Sequence, residues 1–334
     1  MQSTSRRTFL AIAALASAGT LAACTSGSDG PGPKAGSGRH DDPDLPLRGK
    51  AVASVDALLA QYATAQPGAN AALLTQLRGE LATERAALAT GLPAGTPAAS
   101  AGPSGATAAP ASPAALATAE KTTALALLAA LPTASGALAR LLASASAAGA
   151  LRAVRLGDQS PLPADAPSAS PSPSASPTQP ALAAGATTAL QAALAGEHAA
   201  VYAYGVIGAR TAAGPRREDV RACYAEHQAR RDSWDRLLAG SGATPTAAAP
   251  GYRLPTPVTD EASAIRLAAE VEQRLTAVYA DLVAAADGQL RIRAATALRE
   301  TALQCAHWGG TPGPLPGLPA PAAGGTASPS GSPR

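Results

Sequence analysis

Glu197-His198-Ala199-Ala200-Val201-Tyr202-Ala203-Tyr204-Gly205 puts an acid and an imidazole in the middle of an otherwise apolar helical run. Leu190, Leu194, Val201 and Tyr204 recur at helical spacing. Glu197, seven residues after Leu190 and four before Val201, falls on the same apolar seam. Buried polar groups are normally satisfied by partners, so side chains able to meet this carboxylate are expected on facing helices.

Outward from this stretch, spacing predicts four helices: 184–211, 216–239, 260–287 and 289–308. Val220, Cys223, Tyr224, His227, Trp234 and Leu238 share a stripe on the second. Val271, Leu275, Val278 and Leu282 do so on the third, and Leu298, Ala302, Cys305 and Trp308 on the fourth. Gly214-Pro215 and Asp287-Gly288 break the two short hairpins, and Asp260 with Ser263 supplies caps for the third helix. Residues 240–259 are long enough to cross the whole bundle, and two hairpins joined by one long crossover is the ferritin-like arrangement. The fold class expected is all-α.

Glu226-His227-Gln228-Ala229-Arg230-Arg231-Asp232, the Tyr252, Leu254, Pro255 and Pro257 crossover and Trp308 complete a pattern with the opening stretch. Over residues 184–318 the pattern resembles an actinobacterial ferritin-like family, domain of unknown function 4439. The resemblance implies a four-helix fold and attachment to exported lipoproteins, and no established activity.

A dinuclear iron or manganese carboxylate centre needs a Glu from each of two helices and a Glu-x-x-His from each of the others. Glu197, His198, Glu226, His227 and Glu272 are the candidate ligands. Three residues beyond Glu226 and Glu300 stand Ala229 and Leu303, where histidines are required, and Glu272 reads as a flank residue. The ligand count falls short, so no cofactor is expected, with iron or manganese as the alternative. The competing reading has Glu197, His198 and His227 in hydrogen bonds or ion pairs with Arg230 or Arg231. Cys223 and Cys305 fall at one level if the second and fourth helices run antiparallel, which makes a disulfide between them possible. Ala200-Val201-Tyr202-Ala203 recurs as Ala277-Val278-Tyr279-Ala280, which reads either as a duplication relating the first and third helices or as coincidence in an Ala/Val-rich chain, Glu197 falling opposite Arg274 in this register.

The region 183–318 is therefore expected to be the better-packed domain, since five of the six tyrosines and both tryptophans lie beyond residue 183. The region 46–156 carries four further helical patterns, at 47–66, 69–91, 113–131 and 134–156, with Val52, Val55, Leu58, Leu59 and Tyr62 on one stripe. Its core reads as alanine and leucine with one aromatic, a looser bundle. Residues 157–182 form a Pro/Ser-rich linker and 319–334 a disordered tail.

The beginning of the chain is an address. Ser5-Arg6-Arg7-Thr8-Phe9-Leu10 matches the twin-arginine export consensus, Phe9 being the one phenylalanine in the chain, and Leu21-Ala22-Ala23-Cys24 is a lipobox. Residues 1–23 thus read as a signal peptide, Cys24 as the site of lipid attachment, and 24–45 as a flexible tether. The partners implied are the twin-arginine translocase and membrane lipid, with the protein on the extracytoplasmic face of the cell membrane. Losing residues 1–23 lowers the net charge from +3 by two, which excludes a basic nucleic-acid binder. No nucleophile–base arrangement or phosphate-cradling loop is present. The expected function is structural or interactive. A metal-dependent oxidoreductase and a carrier of a small ligand between helices are the alternatives.

Overall fold

The computed structural model describes residues 42–65, 68–93, 111–158 and 181–319. Arg6, Arg7, Phe9, Cys24, the tether as far as residue 41, most of the linker and the tail from residue 320 lie outside the described residues. The described residues form eight α-helices and no strand: α1 (Asp44–Thr64), α2 (Ala71–Ala89), α3 (Pro113–Ala129), α4 (Gly136–Arg155), α5 (Ala184–Arg210), α6 (Pro215–Gly240), α7 (Glu261–Ala285) and α8 (Gly288–His307). All belong to one compact unit, Asp41–Arg334.

The turns fall where the sequence places them. Gly214 has φ +136° and hands over to Pro215 at the first position of α6; Gly288 opens α8 at φ +53°. At α7, Asp260 Oδ1 accepts from Ser263 N at 2.8 Å while Ser263 Oγ accepts from Asp260 N at 3.1 Å, a reciprocal cap.

Direction follows from pairs of contacts. Tyr204 meets Glu272 and Glu197 meets Tyr279, so α5 and α7 are antiparallel; Arg216 near the start of α6 pairs with Glu261 at the start of α7, so those two run parallel. The result is up, down, down, up, with residues 241–260 crossing from one end of the bundle to the other. Gln191 Nε2 donates to Thr244 O at 2.7 Å, Gln191 Oε1 accepts from Thr246 N at 2.8 Å, and Tyr202 packs on Tyr252 with ring centroids 5.4 Å apart, which fastens the crossover to α5.

The N-terminal half repeats this order. Asp44 on α1 accepts from Ser135 N, next to the start of α4, at 2.9 Å, so α1 and α4 start together; Arg152–Glu84 and Arg155–Glu80, both at 2.8 Å, set α2 antiparallel to α4. In each half a tyrosine of the first helix donates to a glutamate of the third: Tyr62 to Glu120 and Tyr204 to Glu272. This relation between whole halves replaces the one expected between the first and third helices of the C-terminal bundle. Tyr202 is 41% exposed whereas Tyr279 is buried, so the repeated tetrapeptide does not mark equivalent positions.

The two halves meet through α4, which packs on both α7 and α8. Its Ala-Ser-Ala-Ser-Ala-Ala-Gly-Ala run, residues 143–150, is buried throughout. Small side chains let the neighbours approach: a Cβ on Gly136 would lie 2.2 Å from Ala284 O, and one on Gly149 would lie 3.2 Å from Ala124 Cβ. Arg291 on α8 ties the junction by donating to Leu131 O at 2.9 Å and Ala134 O at 2.7 Å, in the turn between α3 and α4. Two segments, Pro113–Thr133 and Gly136–Arg155, are long and apolar enough to cross a membrane by length and composition; the second is the buried core helix of the molecule.

Candidate functional site

Heptad spacing aims four α5 and α7 side chains at the centre of the C-terminal bundle: Glu197 and Tyr204 from one, Glu272 and Tyr279 from the other. His227, from the stripe of α6, stands between the two carboxylates. Its Nδ1 lies 2.7 Å from Glu197 Oε2 and its Nε2 lies 3.0 Å from Glu272 Oε1, and all three residues are buried. Tyr279 donates to Glu197 and Tyr204 donates to Glu272; Trp234 Nε1 in turn donates to Tyr279 at 3.3 Å and Trp308 Nε1 to Tyr204 at 2.9 Å. Arg230, one turn beyond His227, reaches Glu197 at 3.6 Å and Glu300 at 2.6 Å. The run Tyr279–Glu197–His227–Glu272–Tyr204 is a chain of polar groups spanning α5, α6 and α7 and ending at indoles on both sides, with Glu272 Oε2 the buried oxygen that lacks a hydrogen-bond partner.

The electrostatics follow from that arrangement. Burial works against a charged imidazole, yet the hydrogen bonds to Glu197 and Glu272 outweigh it and raise the His227 pKa to about 9. Burial likewise works against a Glu197 carboxylate, but His227 and then Arg230 hold its pKa below the ordinary value. Burial, with the adjacent carboxylates, pushes the Tyr204 and Tyr279 hydroxyls far above their usual range, so both keep their protons and donate them to the carboxylates while accepting from the indoles. The Glu197 and Glu272 carboxylates thus face the His227 imidazolium, and the Arg230 guanidinium is shared between Glu197 and Glu300.

Three of the five candidate ligands converge here: Glu197, His227 and Glu272. Glu272 is fully buried at the centre rather than on the flank. The sequence pattern under-reports it because its register is set by α7 packing against both α5 and α8. Glu226 is exposed, and His198 lies outside the cluster with its Nε2 3.1 Å from Thr246 O on the crossover. Arg230 is the paired arginine, while Arg231 turns to Asp232. A metal ion would need lone pairs. His227 offers none with both nitrogens donating, and among the described residues no group of three or more His, Cys, Asp or Glu side chains has a metal-holding arrangement. As arranged, these residues do not fit a dinuclear carboxylate centre.

The disulfide considered for Cys223 and Cys305 is not formed; both are buried thiols. Cys305 Sγ donates to Gln273 Oε1 at 3.4 Å on α7, whereas Cys223 lies beside Tyr204 on α5, so the two thiols serve different neighbours. Burial and the Glu272 charge push Cys223 up to about 12 and Cys305 to about 11, which leaves neither reactive.

A second buried cluster occupies the N-terminal half. Arg152 donates to Glu120 Oε1 and to Glu84 Oε2, each at 2.8 Å, and Tyr62 donates to the same Glu120 oxygen at 2.7 Å. This core is therefore not alanine and leucine alone. The signal for it was present: Leu77, Leu81, Glu84 and Leu88 share one stripe, as do Leu116, Glu120, Ala124 and Leu127.

A bundle of this topology, with an acid–imidazolium–acid chain along its axis, defines an all-helical class whose seam is polar. Residues 189–320 match the model of a family described as a domain of unknown function, DUF4439. The chain is similar to a conserved hypothetical protein from Mycobacterium tuberculosis of known crystal structure, at 35% identity over 37% of this chain and 95% of that one, with a TM-score of 0.36. No curated protein matches the chain.

Proposed function

We propose that the protein is a lipoprotein of the extracytoplasmic membrane face, exported by the twin-arginine route and anchored through Cys24, whose helical body is a non-catalytic interaction platform. The observation that carries the non-catalytic reading is the pairing within the Glu197–His227–Glu272 chain. Both nitrogens of the imidazole are spent within the protein, leaving no free imidazole base or ligand at the centre; the buried Glu272 Oε2 is the oxygen of the chain without a hydrogen-bond partner. Such a network specifies one packing of the bundle, a structural role. The twin-arginine motif and lipobox support the export and anchoring.

Three experiments test this. The wild-type protein is expected in the membrane fraction carrying labelled acyl chains, and Cys24→Ala is expected free of label and released; unchanged membrane association in the variant would sink the anchor. Replacing Arg6 and Arg7 with lysine is expected to block export. For the body, metal analysis of the full chain purified without chelator and loaded with iron, manganese or zinc is expected to find no tightly held ion. One or two ions per chain, lost in Glu197→Ala, would overturn the non-catalytic reading in favour of a metal-dependent oxidoreductase.

A further inference from the structure

Sequence and packing disagree on α3. A helix that is apolar along its whole surface is ordinarily buried. The segments Pro113–Thr133 and Gly136–Arg155 are equally apolar, yet 78% of the apolar window of the second is buried and only 33% of the first. Ala114, Thr118, Thr122, Leu125 and Ala129 make one exposed stripe along α3, with Ala126 beside it.

This stripe asks little of water. It carries no charge: the ionisable side chains of α3 are Glu120, buried against Arg152 and Tyr62, and Lys121, paired with Asp158 at 3.0 Å. The Thr118 and Thr122 hydroxyls donate to the Ala114 and Thr118 carbonyls one turn back, at 3.0 and 2.9 Å. Leu125 stands 41% exposed among them. Other helices differ, with exposed charges at Lys50 on α1, Arg78 on α2, Arg155 on α4 and Arg266 on α7.

The entry point of the tether selects the occupant of this face. α1 begins beside Ser135, in the turn between α3 and α4, so the chain enters the body at the Leu125–Ala129 end of α3. The 17 residues 25–41 span at most about 60 Å, and α3, 17 residues long, measures about 26 Å. The whole stripe is therefore within reach of the surface that holds Cys24.

We propose that the uncharged face of α3 rests on the lipid bilayer that anchors Cys24, with Leu125 at the boundary between headgroups and acyl chains. This docking depends on the anchoring proposed above and fixes which side of the body meets lipid. One leucine among alanines and threonines is too little apolar surface to hold a free protein on a membrane. The tether makes the contact intramolecular and so supplies the effective concentration.

For the test, the mature chain, with a hexahistidine tag in place of Cys24, is held by nickel-chelating lipid on vesicles of phosphatidylglycerol and phosphatidylethanolamine. That attachment supplies the tether whether or not Cys24 is acylated in the cell, so failed docking and failed anchoring are separate results. A nitrobenzoxadiazole dye on Leu125→Cys is expected to shift its emission to the blue on the vesicles and to lose about half its intensity to spin-labelled lipid. The same dye on Arg78→Cys, exposed on α2, is expected to do neither; the buried Cys223 and Cys305 thiols take no label. A dye at position 125 that stays in water on the vesicles overturns the proposal, as does equal quenching at both positions. A blue shift at position 125 that grows with protein concentration in the absence of vesicles also overturns it, by assigning the face to a second copy. Should labelled Leu125→Cys fail to fold, Ala126→Cys carries the dye with the same expectation, and a dye in water there overturns the docking.

Discussion

His227 donates from both ring nitrogens only as the imidazolium, and that one requirement organises the centre of the C-terminal bundle. Removing it strands two carboxylates in the core. His227→Leu is therefore expected to cost about 3–5 kcal/mol, measured by urea denaturation. The charge also makes stability depend on pH. The folded pKa, about 9, lies above the ordinary 6.5, so the contribution of His227 is complete below 6.5 and is lost as pH rises through 9. Glu197 works in the opposite direction, contributing above its ordinary 4.5 and losing that contribution as pH falls through its lowered folded value. In the N-terminal cluster, burial and the Glu120 charge outweigh Arg152 and raise Glu84 to about 7. Its contribution is complete below 4.5 and fades as pH rises through 7. Melting temperature is thus expected to fall from pH 6 to pH 9. Glu84→Gln should flatten the part below pH 7 and His227→Gln the part above it; a profile unchanged in both variants would refute these assignments.

At the scale of the helix, α4 shows why small residues are placed where intrinsic propensity disfavours glycine. Gly136→Ala removes a residue that weakens helices by about 1 kcal/mol, yet its Cβ would meet the Ala284 carbonyl at 2.2 Å. Net destabilisation is expected. Gly79→Ala, in an exposed position of α2 with nothing within 4 Å, is expected to stabilise by about 0.5–1 kcal/mol. Thermal melts of the two variants separate packing from propensity. The elements themselves were legible in the sequence: helix ends fall within three residues of those expected, because caps, Gly-Pro breaks and apolar stripes are local signals. Less local features were not. Glu272 looked peripheral because its burial depends on two neighbouring helices, and the stripes of α2 and α3 mark Glu84 and Glu120 as inward-facing without naming Arg152 as their partner. Only the facing positions of three helices reveal that they neutralise one another.

Across the whole molecule, two bundles of the same helix order are joined by a shared core rather than by a linker alone. α4 belongs to the first bundle by connection and to both by burial, and Arg291 fills carbonyls of the first from the second. The halves are expected to unfold together. Both tryptophans lie in the C-terminal half, whereas helical circular dichroism reports on all eight helices, so coincident transitions by the two probes are the expected result. A separate earlier loss of ellipticity would show that the N-terminal half opens by itself. Burial of α4 has one more consequence, for the export route proposed above. A chain threaded through a translocation channel before folding would present residues 136–155 as a stop-transfer segment, apolar enough to leave the channel sideways into the bilayer. A chain carried across already folded keeps that segment wrapped in α3, α7 and α8, and the membrane never reads it.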